Sequence, residues 1–131
     1  MKTEHKELLL KDLCARLFYG VKVYNDIQGD FTLIGLTKER VFTTCEVEGC
    51  HNDFPIELIK PYLFPLSSMT EEQKKELYDK LIELELKSLN DEISRIEVVK
   101  FEIEYYLKNH LDYKGLILLD LAIDATNKNI Y

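Results

Sequence analysis

The chain has 131 residues, is 46% hydrophobic and carries a formal net charge of −7 at pH 7, a composition that suits one globular domain needing neither disulfides nor a metal. The negative charge repels phosphate backbones and therefore argues against binding to nucleic acid by counterion release. No apolar run approaches the ~20 residues of a membrane span, and three cysteines, an odd number without framework spacing, favour free thiols in a reducing cytoplasm.

Residues 4–18 show the period of an amphipathic helix. Thr3 is expected to be the N-cap, and Gly20 stands where a left-handed glycine commonly ends a helix. The apolar stripe, which we expect to dock on a sheet, consists of Leu9, Leu10, Leu13, Cys14 and Leu17.

Between residues 21 and 57 the hydrophobic period changes to two, which is typical of strands. Gly, Asn and Asp interrupt the apolar runs and predict four short antiparallel strands, at residues 21–24, 31–36, 41–47 and 54–57. Pro55 cannot donate to a ladder, so the fourth strand is expected at an edge. We expect a small curled sheet with the outline of an SH3-like half-barrel.

A stiff segment at residues 58–70 follows the predicted sheet and is framed by Pro61 and Pro65. Because each proline fixes φ and lacks an N–H, we expect neither a helix nor a central strand here. The apolar side chains between the prolines are expected to pack between the sheet and the helices. We call this segment the strap and interpret it as the shared centre of one domain.

Two helices are predicted after the strap. Thr70 and Gln73 form a capping box at the start of the first helix. One of its two apolar rows consists of Tyr78, Ile82, Leu86 and Leu89. Residues 91–109 fit a second helix, although the alternation over residues 97–107 fits a strand equally well. We predict the helix because no turn signal interrupts the segment, and His110 then lies at a helix C-terminus, where a cation is favoured.

Residues 116–123 are nearly all apolar and are expected to be buried, either as a short helix or as a strand that completes the sheet. The pattern as a whole predicts an α+β fold in a single domain, residues 1–131. Its parts are a helix with a β-meander at 1–57, the strap at 58–70, and at 71–131 a helical hairpin with an apolar C-terminal segment.

Three stretches of the sequence are similar to a known family. They read KDLCARL and YGVKV within residues 11–23, KPYLFPLSSMTEE at 60–72 and HLDYKGLI at 110–117. On these stretches the chain resembles, over nearly its whole length, a family of small uncharacterised proteins encoded in Bacteroidales genomes, prophages and mobile elements. It departs from the family pattern at Phe18, where Pro is usual, and at Lys114, where Arg is usual. The resemblance implies a bacterial, phage or mobile-element protein of the cytoplasm and no particular activity.

One cluster has the residue types of a metal site. Cys45, Cys50 and His51 supply thiol and imidazole groups from one short stretch. Zinc normally takes two close pairs of such ligands, and the sequence contains no second cysteine pair, while His5 and His110 are distant. We therefore interpret the three residues as structural and expect neither a metal nor another cofactor.

A second candidate site consists of His110, Asp112 and Tyr113. A histidine beside a carboxylate is a common acid–base arrangement. No serine or cysteine stands in a nucleophile-elbow context such as Gly-x-Ser-x-Gly. We favour the structural interpretation, in which a histidine at a helix end is followed by a turn that the aspartate caps.

These observations favour a non-enzymatic cytoplasmic protein, a phage or mobile-element accessory protein that acts by binding another protein through an acidic helical surface. One alternative is a small hydrolase or nucleotide-handling enzyme that uses His110, Asp112 and Tyr113. The other is a half-barrel that binds nucleic acid weakly through the mildly basic surface of its N-terminal half.

Overall fold

A computed structural model describes residues 1–44 and 52–131. Within these residues the chain has an α+β fold, as predicted, with a helix at the N-terminus, a mixed sheet and a pair of helices in the C-terminal half. The elements in chain order are α1 (Thr3–Arg16), β1 (Lys22–Asn25), β2 (Gly29–Leu36), β3 (Arg40–Thr43), β4 (Asn52–Pro55), β5 (Lys60–Pro65), α2 (Glu71–Leu89), α3 (Arg95–Lys108), β6 (Leu111–Asp112) and β7 (Ile123–Asp124).

The sheet has the strand order β4-β3-β2-β1-β5-β6, and β7 also pairs with β5. Strands β1 to β4 form the predicted antiparallel meander, β5 is antiparallel to β1, and both β6 and β7 are parallel to β5. The fourth strand lies at the end of this order, which fits a proline at position 55 that has no N–H for a further strand. The SH3-like outline stays a prediction.

The strap contains a strand, which its sequence pattern does not predict. Strand β5 lies inside the sheet, between β1 and β6, although its two prolines lack an N–H. The neighbouring chain segments form hydrogen bonds with backbone groups of β5 that do not belong to the prolines. The Phe64 N–H donates to the His110 carbonyl oxygen at 2.8 Å, and the Leu63 carbonyl oxygen accepts from the Ala125 N–H at 2.8 Å. The expectation that the prolines exclude a central strand was therefore wrong.

Two hydrophobic clusters fill the interior, and β5 contributes to both. The larger cluster joins α1, the sheet and the C-terminal segment, and Leu63 is fully buried within it. The smaller cluster joins α2 to α3 around Leu77 and Tyr105, and Phe64 packs against it. Because successive side chains of a strand point to opposite faces, one short strand serves both clusters.

The ends of α1 lie close to the predicted ones, but the cap is different. Lys2 occupies the N-cap position without a side-chain hydrogen bond, and Thr3 is the first helical residue, so the prediction of Thr3 as the cap was wrong. A 3₁₀ turn over Leu17–Tyr19 follows α1. Gly20 then ends the turn with φ of 68°, as predicted.

The buried face of α1 is less apolar than predicted. Leu9 and Leu13 are fully buried, but Cys14, which we expected in the stripe, is exposed. Asp12 and Arg16 are fully buried instead. The hydrophobic period therefore predicted the position of the helix correctly. The buried face is rotated from the predicted stripe, toward Asp12 and Arg16 and away from Cys14.

The helical hairpin of α2 and α3 is close to its prediction. The Gln73 N–H donates to Thr70 Oγ1 at 3.1 Å, and Gln73 Oε1 accepts from the Thr70 N–H at 3.0 Å, which confirms the capping box. Asp91, with φ of 57°, lies in the connection between the helices. The segment after it is a helix rather than a strand, and it begins only at Arg95.

The apolar run at residues 116–123 is neither a helix nor a long strand. Consecutive turns occupy most of it, and only its last residue, Ile123, belongs to β7. Leu116 and Leu121 are buried, but Leu118 is 93% exposed, so the expectation that the whole run is buried was wrong. Turns direct successive side chains in different directions, and such a run presents no single face to the core.

Candidate functional site

The helical hairpin exposes a large apolar surface. Its six side chains, which we call the apolar hairpin face, are Tyr78, Ile82 and Leu86 of α2 and Ile96, Val99 and Ile103 of α3. Each is between 36% and 75% exposed, and Leu89 extends the face at the end of α2. Single exposed apolar side chains are normal, whereas a contiguous apolar patch marks an interaction site.

Each helix of the hairpin carries one of the two rows. Within each helix the members are three or four residues apart, which places them on one helical stripe. An ion pair joins the helices, with Arg95 Nη1 3.0 Å from Glu85 Oε1. Glu85 adjoins Leu86 in sequence and Arg95 adjoins Ile96.

Several charged side chains of the hairpin make no ion pair with another described residue. Among them are Lys75 and Asp79 on α2 and Lys100 and Glu104 on α3, and Lys100 and Glu104 border the row of Ile96, Val99 and Ile103. Several other charges of α2 and α3 are paired within the hairpin, namely Glu71 with Lys74, Glu83 with Lys80 and Lys87, and Glu85 with Arg95. The hairpin thus carries unpaired charges of both signs, and its acidic character stays a prediction.

A buried ion pair lies where α1 meets β6. Arg16 Nε donates to Asp12 Oδ2 at 2.7 Å, and both side chains are 0% exposed. Arg16 Nη2 also donates to the Leu111 carbonyl oxygen at 2.7 Å. Asp12 Oδ1 and Arg16 Nη1 have no hydrogen-bond partner among the described residues. The pair connects α1 to β6 across 95 residues of sequence.

His110 lies beside this ion pair and is held by stacking. Its ring lies 3.7 Å from the Tyr131 ring with 12° between the planes, and its Nδ1 atom is buried without a partner in the described part of the chain. Burial, and secondarily the nearby positive charge of Arg16, lower the pKa of His110 from 6.5 to about 4. The expectation of a favourable cation at this position was therefore wrong.

Tyr131 completes this region from the end of the chain. Its hydroxyl donates to the Tyr62 carbonyl oxygen at 2.8 Å and accepts from the Lys22 N–H at 2.8 Å. Burial raises the pKa of Tyr131 to about 12, so the hydroxyl keeps its proton at neutral pH. The stacked ring and the two hydrogen bonds hold His110 in a neutral, structural role.

The stability of the protein is expected to depend on His110 between pH 4 and 6.5. The unfolded chain takes up a proton near pH 6.5, while the folded protein resists it until about pH 4, so stability is lost as the pH falls through this window. The loss is expected to be about 2 kcal/mol, discounted for the partial exposure of the ring.

The measurement is urea unfolding of the wild type and His110→Asn at a series of pH values. Asparagine tolerates the positive φ of 56° at this position and does not titrate. We expect the difference in the free energy of unfolding between the two proteins to change by about 2 kcal/mol between pH 6.5 and pH 4. If the free energies of unfolding of the two proteins change with pH in the same way, His110 is not held neutral in the folded protein.

The three residues of the predicted catalytic group have separate surroundings. The carboxylate of Asp112 accepts hydrogen bonds from the N–H groups of Leu116 and Ile117, at 2.8 and 2.9 Å. Tyr113 stacks on Tyr106 with ring centroids 5.5 Å apart. A histidine–carboxylate hydrogen bond between His110 and Asp112 is not present in the described structure, and the aspartate caps a turn, as in the structural interpretation.

The metal-like residues Cys45, Cys50 and His51 lie outside the described residues. Within residues 1–44 and 52–131, His, Cys, Asp and Glu side chains form no group of three that fits around a metal ion. The described helices also include none that is both long and apolar enough to cross a membrane.

Comparisons with known proteins add no relative. No protein-family model, no curated protein and no solved structure matched the chain. The interpretation of the surface and of the buried cluster therefore depends on their geometry.

Part of each site is visible in the sequence. The row Tyr78, Ile82 and Leu86 was visible at helical spacing, but the spacing does not distinguish a row facing the core from one facing outward. Asp12 and Arg16 stand four residues apart in a predicted helix, which is the ordinary spacing of a surface ion pair. Nothing in that spacing indicates that the pair is buried.

Proposed function

We propose that this chain is a protein-binding protein whose binding surface is the apolar hairpin face. The observation that carries the proposal is the exposure of six large apolar side chains, three along one stripe of each of two adjacent helices. Leaving this much apolar surface in water is costly, and burying it against a partner recovers about 25 cal/mol for each Å² of apolar area.

The surface has the anatomy of a protein interface. Its apolar side chains include an aromatic residue, Tyr78, and charged side chains such as Lys100 and Glu104 lie at its edge, as is usual in protein complexes. The face also lies on regular helices fixed by a capping box at Thr70 and by a packed cluster around Leu77. A rigid surface of this kind binds with little loss of conformational freedom.

In this proposal the protein acts in the cytoplasm of a bacterial cell, and its gene comes from a phage or mobile element. This part of the proposal follows from the three free thiols that the composition favours and from the resemblance to Bacteroidales, prophage and mobile-element proteins. A non-enzymatic accessory role fits a molecule that exposes apolar helical rows and whose histidine at position 110 is buried and held by stacking on Tyr131.

Site-specific photo-crosslinking tests the proposal. A benzophenone amino acid at Ile82 is expected to form a covalent protein adduct on irradiation of cells that produce the chain, because Ile82 is at the centre of the face. The matched control carries the same group at Glu97, an exposed residue of α3 that belongs to neither apolar row and lies in a groove lined also by Lys80 and Leu84.

An adduct from position 82 and none from position 97 supports a protein partner on this face. Equal yields from both positions, or none from either, would contradict the proposed function. The result holds whichever protein is captured, so it tests the surface before its partner is known.

A further inference from the structure

We infer that the fold contains a slot for a phenol ring between β1 and β5, and that Tyr131 occupies this slot as a ligand supplied by the same chain. The slot shares no residue with the apolar hairpin face, and the inference does not depend on the proposed function. Its basis is the set of hydrogen bonds and ring contacts that surround the Tyr131 side chain.

The hydrogen-bond ladder between β1 and β5 is interrupted where the slot lies. Val23 pairs with Pro61 in the antiparallel register of these strands, so the next pair is Lys22 with Tyr62. Alternate pairs of such a ladder exchange hydrogen bonds, and the pair at Pro61, which has no N–H, is not one of them. Lys22 and Tyr62 would therefore bond directly in a continuous ladder. The Tyr131 hydroxyl lies between them instead, 2.8 Å from the Lys22 nitrogen and 2.8 Å from the Tyr62 carbonyl oxygen.

These two hydrogen bonds require a ligand atom that both accepts and donates. The Lys22 backbone offers an N–H donor, and the Tyr62 backbone offers a carbonyl acceptor. A hydroxyl can serve both at once, whereas an ammonium group only donates and an ionised carboxylate only accepts. The two strands therefore select a hydroxyl group.

Aromatic side chains line another part of the slot and select a flat ring. The centroid of the His110 ring lies 3.7 Å from that of the Tyr131 ring, with 12° between the planes. The centroid of the Phe64 ring lies 5.9 Å away, and its plane is tilted by 50°. Such contacts stabilise an aromatic ring beyond the burial of its area. A flat ring that carries a hydroxyl is a phenol, which is the chemical class of the ligand.

The walls of the slot are held by contacts that do not involve Tyr131. On β1, Lys22 pairs with Thr32 of β2, and Lys22 Nζ donates to Thr32 Oγ1 at 2.6 Å. On the other side, the Phe64 N–H donates to the His110 carbonyl oxygen at 2.8 Å, which connects the two aromatic walls. We therefore expect the slot to persist when the Tyr131 side chain leaves it.

The segment that leads to Tyr131 gains little from its own packing. Residues 126–129 are exposed and lie outside the helices and strands. Asn127 and Asn129 both have positive φ, of 65° and 49°. Ordering each of these residues costs conformational free energy that an exposed side chain does not return. Tyr131 is therefore expected to leave and re-enter the slot, which makes the slot available to a phenol from outside the chain.

NMR titration of Tyr131→Ala with p-cresol, which is the tyrosine side chain without its backbone, tests the inference. We expect a roughly millimolar dissociation constant and a downfield shift of the Lys22 amide resonance as its hydrogen bond forms again. Toluene has the same ring without the hydroxyl and is expected to bind about tenfold more weakly. The matched control is Tyr78→Ala, which removes an exposed tyrosine and leaves Tyr131 in the slot. It is expected to bind p-cresol at least about tenfold more weakly than Tyr131→Ala.

A peptide with the sequence of residues 126–131 distinguishes two sources of the phenol. Binding to Tyr131→Ala more tightly than p-cresol identifies a tyrosine residue as the preferred occupant, and equal binding identifies a free phenol. The slot stands in both cases. Binding of the peptide without binding of p-cresol would show that the peptide backbone is recognised, and would overturn the inference.

Tyr131→Phe keeps the inference testable if the alanine variant does not fold. It retains the ring and removes only the hydroxyl, so the Lys22 amide resonance is expected to move upfield and the amide to exchange with solvent about tenfold faster. A folded Tyr131→Ala that does not bind p-cresol would mean that β1 and β5 close directly on each other. Either that result or a Lys22 amide unchanged in Tyr131→Phe would overturn the inference.

Discussion

Asp12→Ala is expected to lower the free energy of unfolding by about 3–5 kcal/mol, a large share of the stability of a small domain. The side chain is fully buried and accepts from Arg16 Nε at 2.7 Å. Removing it leaves the guanidinium inside the protein without its counter-charge. Arg16 cannot lose its proton at any accessible pH, so the buried charge remains.

Substitution of the other partner of the pair is also expected to lower the free energy of unfolding, but for a different physical reason. Arg16→Met removes the positive charge but leaves the Asp12 carboxylate and the Leu111 carbonyl oxygen without their donor. An unsatisfied buried acceptor costs about 1–3 kcal/mol, and more when it is charged. The double variant Asp12→Leu/Arg16→Met removes both charges and is expected to be more stable than either single variant.

Urea unfolding at one fixed protein concentration measures these effects. The matched control is Glu7→Ala, which breaks the pair of Glu7 with Lys11 on the same helix and at the same spacing of four residues. That pair is exposed, so its loss is expected to cost less than about 0.5 kcal/mol. An Asp12→Ala variant as stable as Glu7→Ala would show that burial of the pair does not determine its contribution.

Local signals in the sequence were sufficient for the helices. The capping box of Thr70 and Gln73 specifies the start of α2 by two reciprocal hydrogen bonds that need no distant partner. Residues 97–107 carried both a helical and a strand pattern, and the helix formed. A strand there would have needed a neighbouring strand, which a single sequence period does not supply.

Features that depend on distant contacts were not predictable in this way. Strand β5 exists because His110 and Ala125, far along the chain, bond to backbone groups that the prolines leave free. The pKa of His110 falls because Tyr131 covers its ring, and local spacing alone indicated a favourable cation. The outward direction of Ile82 depends on which side of α2 meets α3.

Leu63→Ala is expected to lower the free energy of unfolding by about 3 kcal/mol and to destabilise both hydrophobic clusters together. Leu63 is fully buried in the larger cluster, and its removal leaves a cavity that a sheet cannot close easily. The neighbouring Phe64 packs against the smaller cluster. Because one strand holds both side chains, loss of either contact is expected to loosen the whole domain.

Fluorine NMR of fluorophenylalanine-labelled protein during urea unfolding separates the two clusters. Phe54 reports on the larger cluster and Phe101 on the smaller one. We expect their unfolding midpoints to shift equally in Leu63→Ala, and again in Phe64→Ser, while Leu118→Ala, at a side chain 93% exposed, shifts neither. Two separate midpoints would mean that the strap only joins the sheet to the hairpin. Coincident midpoints would mean that two prolines, usually taken as strand breakers, frame the strand on which the whole domain depends.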